Sequence, residues 1–220
     1  MTSRSLRGAV LTALVLALQG CSGCSASGDD APRSTAASSS VPAPPSATSG
    51  LAALLVTEVP SGLPRVPDDE LDPRAGRKTI DDVAGYSSDA EHQRQVLEDY
   101  GYRWGWERFW RTGDQLTSVF LDQFGNADGA VSYADDLARN DAEYYGGTPE
   151  DDPPDLPAGC ALLTVEDPAP MGRLAGPAAF AWCAHGVFTV SVAAVSTSPA
   201  AARAEVGAVT AQQLDRLPGA

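Results

Sequence analysis

Twice in this chain a strand pattern, a glycine-bearing turn, a second strand pattern and a capped helix follow one another, and that order leaves few folds open. The first unit runs through Tyr102–Arg111, the turn Thr112-Gly113-Asp114 and Gln115–Phe124, then a helix from the N-cap Asn126 to Tyr145. The second runs through Ala178–Ala184, the turn His185-Gly186 and Val187–Val195, then a helix opened by Ser198-Pro199 and reaching Leu217. A short glycine loop between two such runs reads as a hairpin. Asn and Ser suit an N-cap, and proline suits the first helical position, where its missing N–H costs nothing. The two units align without a gap at an offset of 72 residues, pairing Trp110 with Trp182, Leu116 with Phe188 and Asn126 with Ser198. An internal pseudo-repeat, or two unrelated motifs of similar pattern, produces such matches. Either origin predicts an α+β domain, an antiparallel sheet with helices packed on one face. Around these units the pattern adds an apolar opening at Leu51–Val59 and a polar, proline-punctuated stretch at 64–87. A helix follows, begun by the Ser88–Glu91 capping box and stopped by Gly101, then a loop at 146–158 and a strand at Cys160–Val165.

The start of the chain has a different character. Arg4 and Arg7 precede an apolar run of eleven residues, Gly8–Leu18, short of the roughly 20 needed to span a membrane. The run ends in Leu18-Gln19-Gly20-Cys21, which resembles the bacterial lipobox, with Gln19 a less usual occupant of its position. That resemblance implies a lipoprotein signal peptide over residues 1–20, a diacylglycerol on Cys21, and attachment at the outer face of the cytoplasmic membrane. Residues 21–50 then read as the lipid-bearing cysteine and a disordered Ser/Ala/Pro linker with almost nothing apolar to bury, of mean span roughly 30 Å. Residues 51–220 read as a single extracytoplasmic domain.

A formal charge of −14 argues against nucleic acid as a partner, because phosphate contacts need clustered Lys and Arg. One lysine, Lys78, stands against fourteen arginines, with alanine and proline abundant. That bias fits a GC-rich genome such as an actinobacterium's. Outside the cytoplasm Cys160 and Cys183 are expected to pair. The bridge closes a loop of 24 residues and stabilises by roughly 3 kcal/mol in the chain-entropy model. Cys183-Ala184-His185 also permits a catalytic Cys–His reading, but bridged or buried side chains satisfy the same pattern.

Catalytic and metal motifs are missing from the sequence. His92 and His185 are the only histidines and are not spaced as metal ligands, and no Walker A, Gly-x-Ser-x-Gly or His-Glu-x-x-His occurs. Asn126-Ala127-Asp128-Gly129 lacks the bidentate glutamate of a calcium loop. No catalytic residue, metal or cofactor is therefore assigned. One local feature stands out: from Tyr100 to Trp106 every second residue is Tyr or Trp. Period two places side chains on one face of a strand. Tyr102, Trp104, Trp106 and Arg108 are thus the candidate ligand-binding residues, a stacking platform for sugar rings or apolar molecules. The competing reading, which large aromatics favour, is that helices cover the stripe and make it core.

Leu54-Leu55 with Pro60-Ser61-Gly62, Gly101-Tyr102 through Trp110, and the final hairpin and helix resemble the small secreted lipoproteins of actinobacteria that carry a PsbP-like or LpqN-like domain. The resemblance covers roughly residues 51–217, implies that fold, and brings no catalytic residues with it. The function expected is that of a lipid-anchored, non-catalytic surface lipoprotein that binds a small ligand or an envelope partner. The partner classes are an envelope glycan, an apolar small molecule or a membrane protein. Two alternatives stay open: an envelope-acting enzyme using carboxylates such as Asp122 or Glu107, and a structural accessory of a membrane protein.

Overall fold

The computed structural model describes residues 43–166 and 174–219, all within one compact unit, Ser40–Ala220. Cys21, the expected signal peptide over residues 1–20 and most of the expected 21–50 linker lie outside the described residues. The fold begins a little before Leu51. Helix α1 spans Thr48–Leu54, and the Pro45 carbonyl ahead of it accepts a hydrogen bond from Gln123 at 3.0 Å. The polar stretch that follows is not all loop. A 3-10 turn at Asp68–Glu70, strand β1 (Gly76–Lys78) and helix α2 (Ile80–Ala84) lie in it. Thr79 caps α2 through a full capping box with Asp82, a local device that works without an apolar periodicity. Helix α3 (Ala90–Asp99) is capped by Asp89 rather than Ser88, its carboxylate accepting from the His92 amide at 3.1 Å.

The two hairpins form as their turn residues require. Strands β2 (Tyr102–Thr112) and β3 (Gln115–Phe124) meet at Gly113, and β6 (Ala178–His185) and β7 (Phe188–Val195) at Gly186. Both glycines have positive φ, which a side chain disfavours. Helix α4 (Ala127–Tyr145) starts at Asn126, and helix α5 (Pro199–Leu214) at Ser198. Between the units, β4 (Glu150–Asp151) and β5 (Cys160–Val165) complete a seven-stranded sheet in the order β1-β2-β3-β7-β6-β5-β4. Every pairing is antiparallel, so the domain is α+β.

The helices cover both faces of the sheet, not the one face expected. Residues alternate along each strand. Leu121, Val190, Val192 and Ala181 meet Val206 and Val209 of α5 and Leu51 and Leu55 of α1 in one core. On the other face Phe180, Trp182 and Leu163 meet Ala134, Ala138 and Ala142 of α4, and Tyr102 and Phe124 pack with Val83, Leu97 and Tyr133. This arrangement separates the two strand–strand–helix units. Antiparallel β3 and β7 relate the hairpins by a local two-fold axis normal to the sheet, which would leave both helices on one side. With α4 and α5 on opposite sides, the units share an element order but are not rotated copies.

On the α5 face Cys160 lies directly opposite Cys183, and the two form a disulfide with Cα atoms 4.2 Å apart. Such a bridge belongs to an oxidising compartment. Among the described residues no helix is long and apolar enough to cross a membrane.

Candidate functional site

The aromatic stripe does not form one face. Between Tyr102 and Trp104 the β2–β3 register slips: Tyr102 lies opposite Phe124, yet Trp104 already lies opposite Gln123. One extra residue in a strand reverses the side on which everything before it points. Tyr102 therefore lies on the α4 face, while Trp104, Trp106 and Arg108 lie on the α5 face, packed toward α1. Tyr100 belongs to no strand and follows α3 as its C-cap. Trp104 donates its Nε1 hydrogen to Gln123 at 3.0 Å. Arg108, only 5% exposed, donates to the carbonyls of Ala52, Leu55 and Val56 at 3.2, 3.3 and 2.5 Å. Gln213 and Arg216 hold the neighbouring Leu54 carbonyl, so the end of α1 has its free acceptors satisfied by β2 and α5. Of the four residues chosen from sequence, Arg108 thus fastens α1 to the sheet, Trp104 and Trp106 pack against the core on that face, and the Trp106 Nε1 is buried without a hydrogen-bond partner. Cys183 has its sulfur in the bridge, and His185 Nε2 meets the Pro218 carbonyl at 2.9 Å.

The α4 face carries a cavity of about 150 Å³ bounded by the sheet, by α4 and by the end of α2. The sheet supplies its floor. Period two aims Glu107 of β2, Phe120 and Asp122 of β3, Trp182 of β6 and Ser191 of β7 to this side. One helical face of α4 brings Tyr133, Leu137 and Asp141, spaced at four residues, down onto them. Val83 and Tyr86, on and just after α2, close the remaining side.

Two of the three carboxylates are deeply buried, and each is treated differently. Glu107, 3% exposed, accepts from Lys78 Nζ at 3.0 Å and from Tyr86 Oη at 2.6 Å. Burial pushes its carboxyl up, and these two partners pull it back. Lys78, the one lysine of the chain, also donates to the Arg74 carbonyl at 2.5 Å and lies 5.4 Å over the Tyr86 ring. Asp122, 6% exposed, accepts from Tyr102 Oη at 3.0 Å. Burial, with the nearby Glu107 charge adding to it, pushes its carboxyl up to about 7, against a smaller lowering by Tyr102. Asp141 is pushed up to about 6 by burial, offset in part by a hydrogen bond from Trp182. Among the described residues no basic side chain forms a salt bridge with Asp122 or Asp141. The Ser191 hydroxyl, also on the wall, is buried without a hydrogen-bond partner.

Gly105 makes the Tyr102–Asp122 contact possible. It lies opposite Asp122, and a Cβ on it would fall 2.2 Å from Asp122 Oδ1 and 2.6 Å from Tyr102 Oη. The glycine that interrupts the aromatic stripe therefore marks the place where a buried carboxylate and its phenol partner approach the backbone.

Of the site residues, Asp122 and Glu107 were legible only as examples among the chain's scattered acidic residues. Tyr86, Tyr133, Asp141, Trp182 and Ser191 carried no local signal, since they come from four separate elements or loops. No protein-family model matches the chain, and no curated protein matches it. Among solved structures, the extracellular domain of PknH from Mycobacterium tuberculosis is similar, with a TM-score of 0.47 at 14% identity over 79% of this chain and 97% of that one.

Proposed function

We propose that this chain is a surface lipoprotein, anchored through Cys21 and held off the membrane by the 21–50 linker, whose domain binds a small molecule in the α4-side cavity. The compartment is supported by the Leu18-Gln19-Gly20-Cys21 motif and by the Cys160–Cys183 bridge. Binding is carried by one observation: an aromatic-walled cavity into which the sheet places a buried carboxylate, Asp122, with which no basic side chain among the described residues forms a salt bridge. Concave apolar sites with a few convergent polar groups are the usual form of small-ligand pockets. Calorimetric titration of the full chain in detergent with a panel of small fragments tests this, repeated on Ser191→Phe and Leu137→Trp, which fill the cavity. At least one fragment is expected to bind the parent and to be lost in both fillers. Fragments that bind parent and fillers alike, or a panel with no binder, would refute it.

A second reading, proton transfer by Asp122 to a bound substrate, is favoured by its titration at about 7, where a general acid–base group works near neutral pH. Glu107 is held by Lys78 and Tyr86 and is not free to share that work. Turnover lost in Asp122→Asn with substrate binding retained would select the enzymatic reading.

A further inference from the structure

We infer that the cavity takes a primary alkylammonium, with its charged end at the Asp122 carboxylate and its hydrocarbon body against Tyr133 and Trp182. The inference rests on the small-molecule reading above and adds the chemical class of the ligand.

Charge sets the sign. Glu107 already has Lys78 at 3.0 Å, whereas Asp122 and Asp141 have only a phenol and an indole as partners. A carboxylate in an apolar setting is costly unless a counter-charge reaches it, and an anionic ligand would add to that cost. The domain itself shows the complementary chemistry on the same wall. Lys78 is an alkylammonium held by a carboxylate, Glu107, and by the face of an aromatic ring, Tyr86, at 5.4 Å. Carboxylate and aromatic face together suit an ammonium, the one through charge-assisted hydrogen bonds and the other through the ring quadrupole. Asp122 and Asp141 line the same cavity as Tyr133 and Trp182, and among the described residues no basic side chain forms a salt bridge with either.

Size and geometry narrow the class. A volume of about 150 Å³ matches that of an engineered protein cavity known to hold benzene, so the ligand has on the order of five to seven heavy atoms. Bare metal ions fit poorly. Among the described residues no three acidic, histidine or cysteine groups come together as a metal ligand set, and a calcium ion seeks 6–8 oxygens. A primary ammonium needs only two or three acceptors, and the Asp122 carboxylate supplies two oxygens on the floor of the cavity. The Ser191 hydroxyl, buried without a partner, is a further acceptor on the same floor.

The test is calorimetric titration of the full chain at pH 8 with butylammonium chloride, n-butanol and sodium butyrate, repeated on Asp122→Asn, Asp141→Asn and Ser191→Phe. Butylammonium is expected to bind about tenfold or more tightly than butanol, and butyrate not at all. Asp122→Asn should weaken butylammonium by about tenfold or more, the usual loss for a hydrogen bond to a charged group. Thermal melts of the unliganded variants separate weakened binding from misfolding, and Asp141→Asn, which removes the other carboxylate of the cavity, should weaken butylammonium less than Asp122→Asn does. Butanol binding as tightly as butylammonium, with both lost in Ser191→Phe, would overturn the cation while leaving the pocket as a small-molecule site. Butylammonium binding Asp122→Asn as tightly as the parent would overturn it as well. Fragments binding to parent and Ser191→Phe alike would instead overturn the pocket itself.

Discussion

Replacing Asp122 by asparagine should make the protein more stable, and by an amount that grows with pH. The side chain is 6% exposed, and burial lifts its carboxyl from 3.8 to about 7. Between those two values the folded chain holds a proton that the unfolded chain has released, so stability falls as pH rises through this window. About three pH units at about 1.4 kcal/mol each give a cost of ~4 kcal/mol above neutral pH. Asparagine has nearly the same shape, cannot ionise, and keeps an oxygen to accept from Tyr102. The groups facing Asp122, namely Glu107 and Tyr102 on β2 and Tyr133 on α4, are present in both proteins, so their own titrations largely cancel in the difference. The stability gap between Asp122→Asn and the parent should therefore rise from about 0.5 kcal/mol at pH 4 to about 4 kcal/mol at pH 8. Urea unfolding followed by tryptophan fluorescence at four or five pH values measures it. A gap that does not change with pH, or a variant less stable than the parent at pH 8, would refute the account of Asp122 as a buried carboxyl without a counter-charge.

Three further outcomes are expected. Cys160→Ser with Cys183→Ser should lower stability by roughly 3 kcal/mol, and the parent, denatured without reductant, should show no thiol from this pair by thiol titration. Trp110→Ala, at a side chain 1% exposed, should cost about 3–5 kcal/mol in urea unfolding, whereas Trp104→Ala, half-buried on the same face, should cost clearly less; equal losses would mean the α1 segment seals the stripe completely. Cys21→Ala should abolish incorporation of labelled fatty acid and release the chain from the membrane fraction, and normal membrane retention would count against the anchor.

Local rules in the sequence determined the elements. Asn126 and Ser198 have side-chain oxygens placed to accept from the first turn of a helix, and α4 and α5 begin at them. Gly113 and Gly186 tolerate positive φ, and the hairpins turn there. The short apolar runs at 160–165, 178–184 and 187–195 read as strands, and an oxidising compartment permitted Cys160 and Cys183 to pair. These features act over a few residues, so a reader of the chain can find them. The faces are another matter. Which side of the sheet Tyr102 occupies depends on a one-residue slip against β3, and a slip is a property of two strands, not of one. Whether α4 and α5 share a face depends on where each connection lands across the whole sheet, and the 72-residue offset of the two units is silent on that. The candidate site belongs entirely to this second kind of information. Asp122 and Glu107 stood among many acidic residues, and the companions Tyr86, Tyr133, Asp141, Trp182 and Ser191 lie as far as 105 residues apart in the chain. Only the packing of α2 and α4 over the sheet removes water from around that carboxyl, and removing water is what gives Asp122 its chemistry.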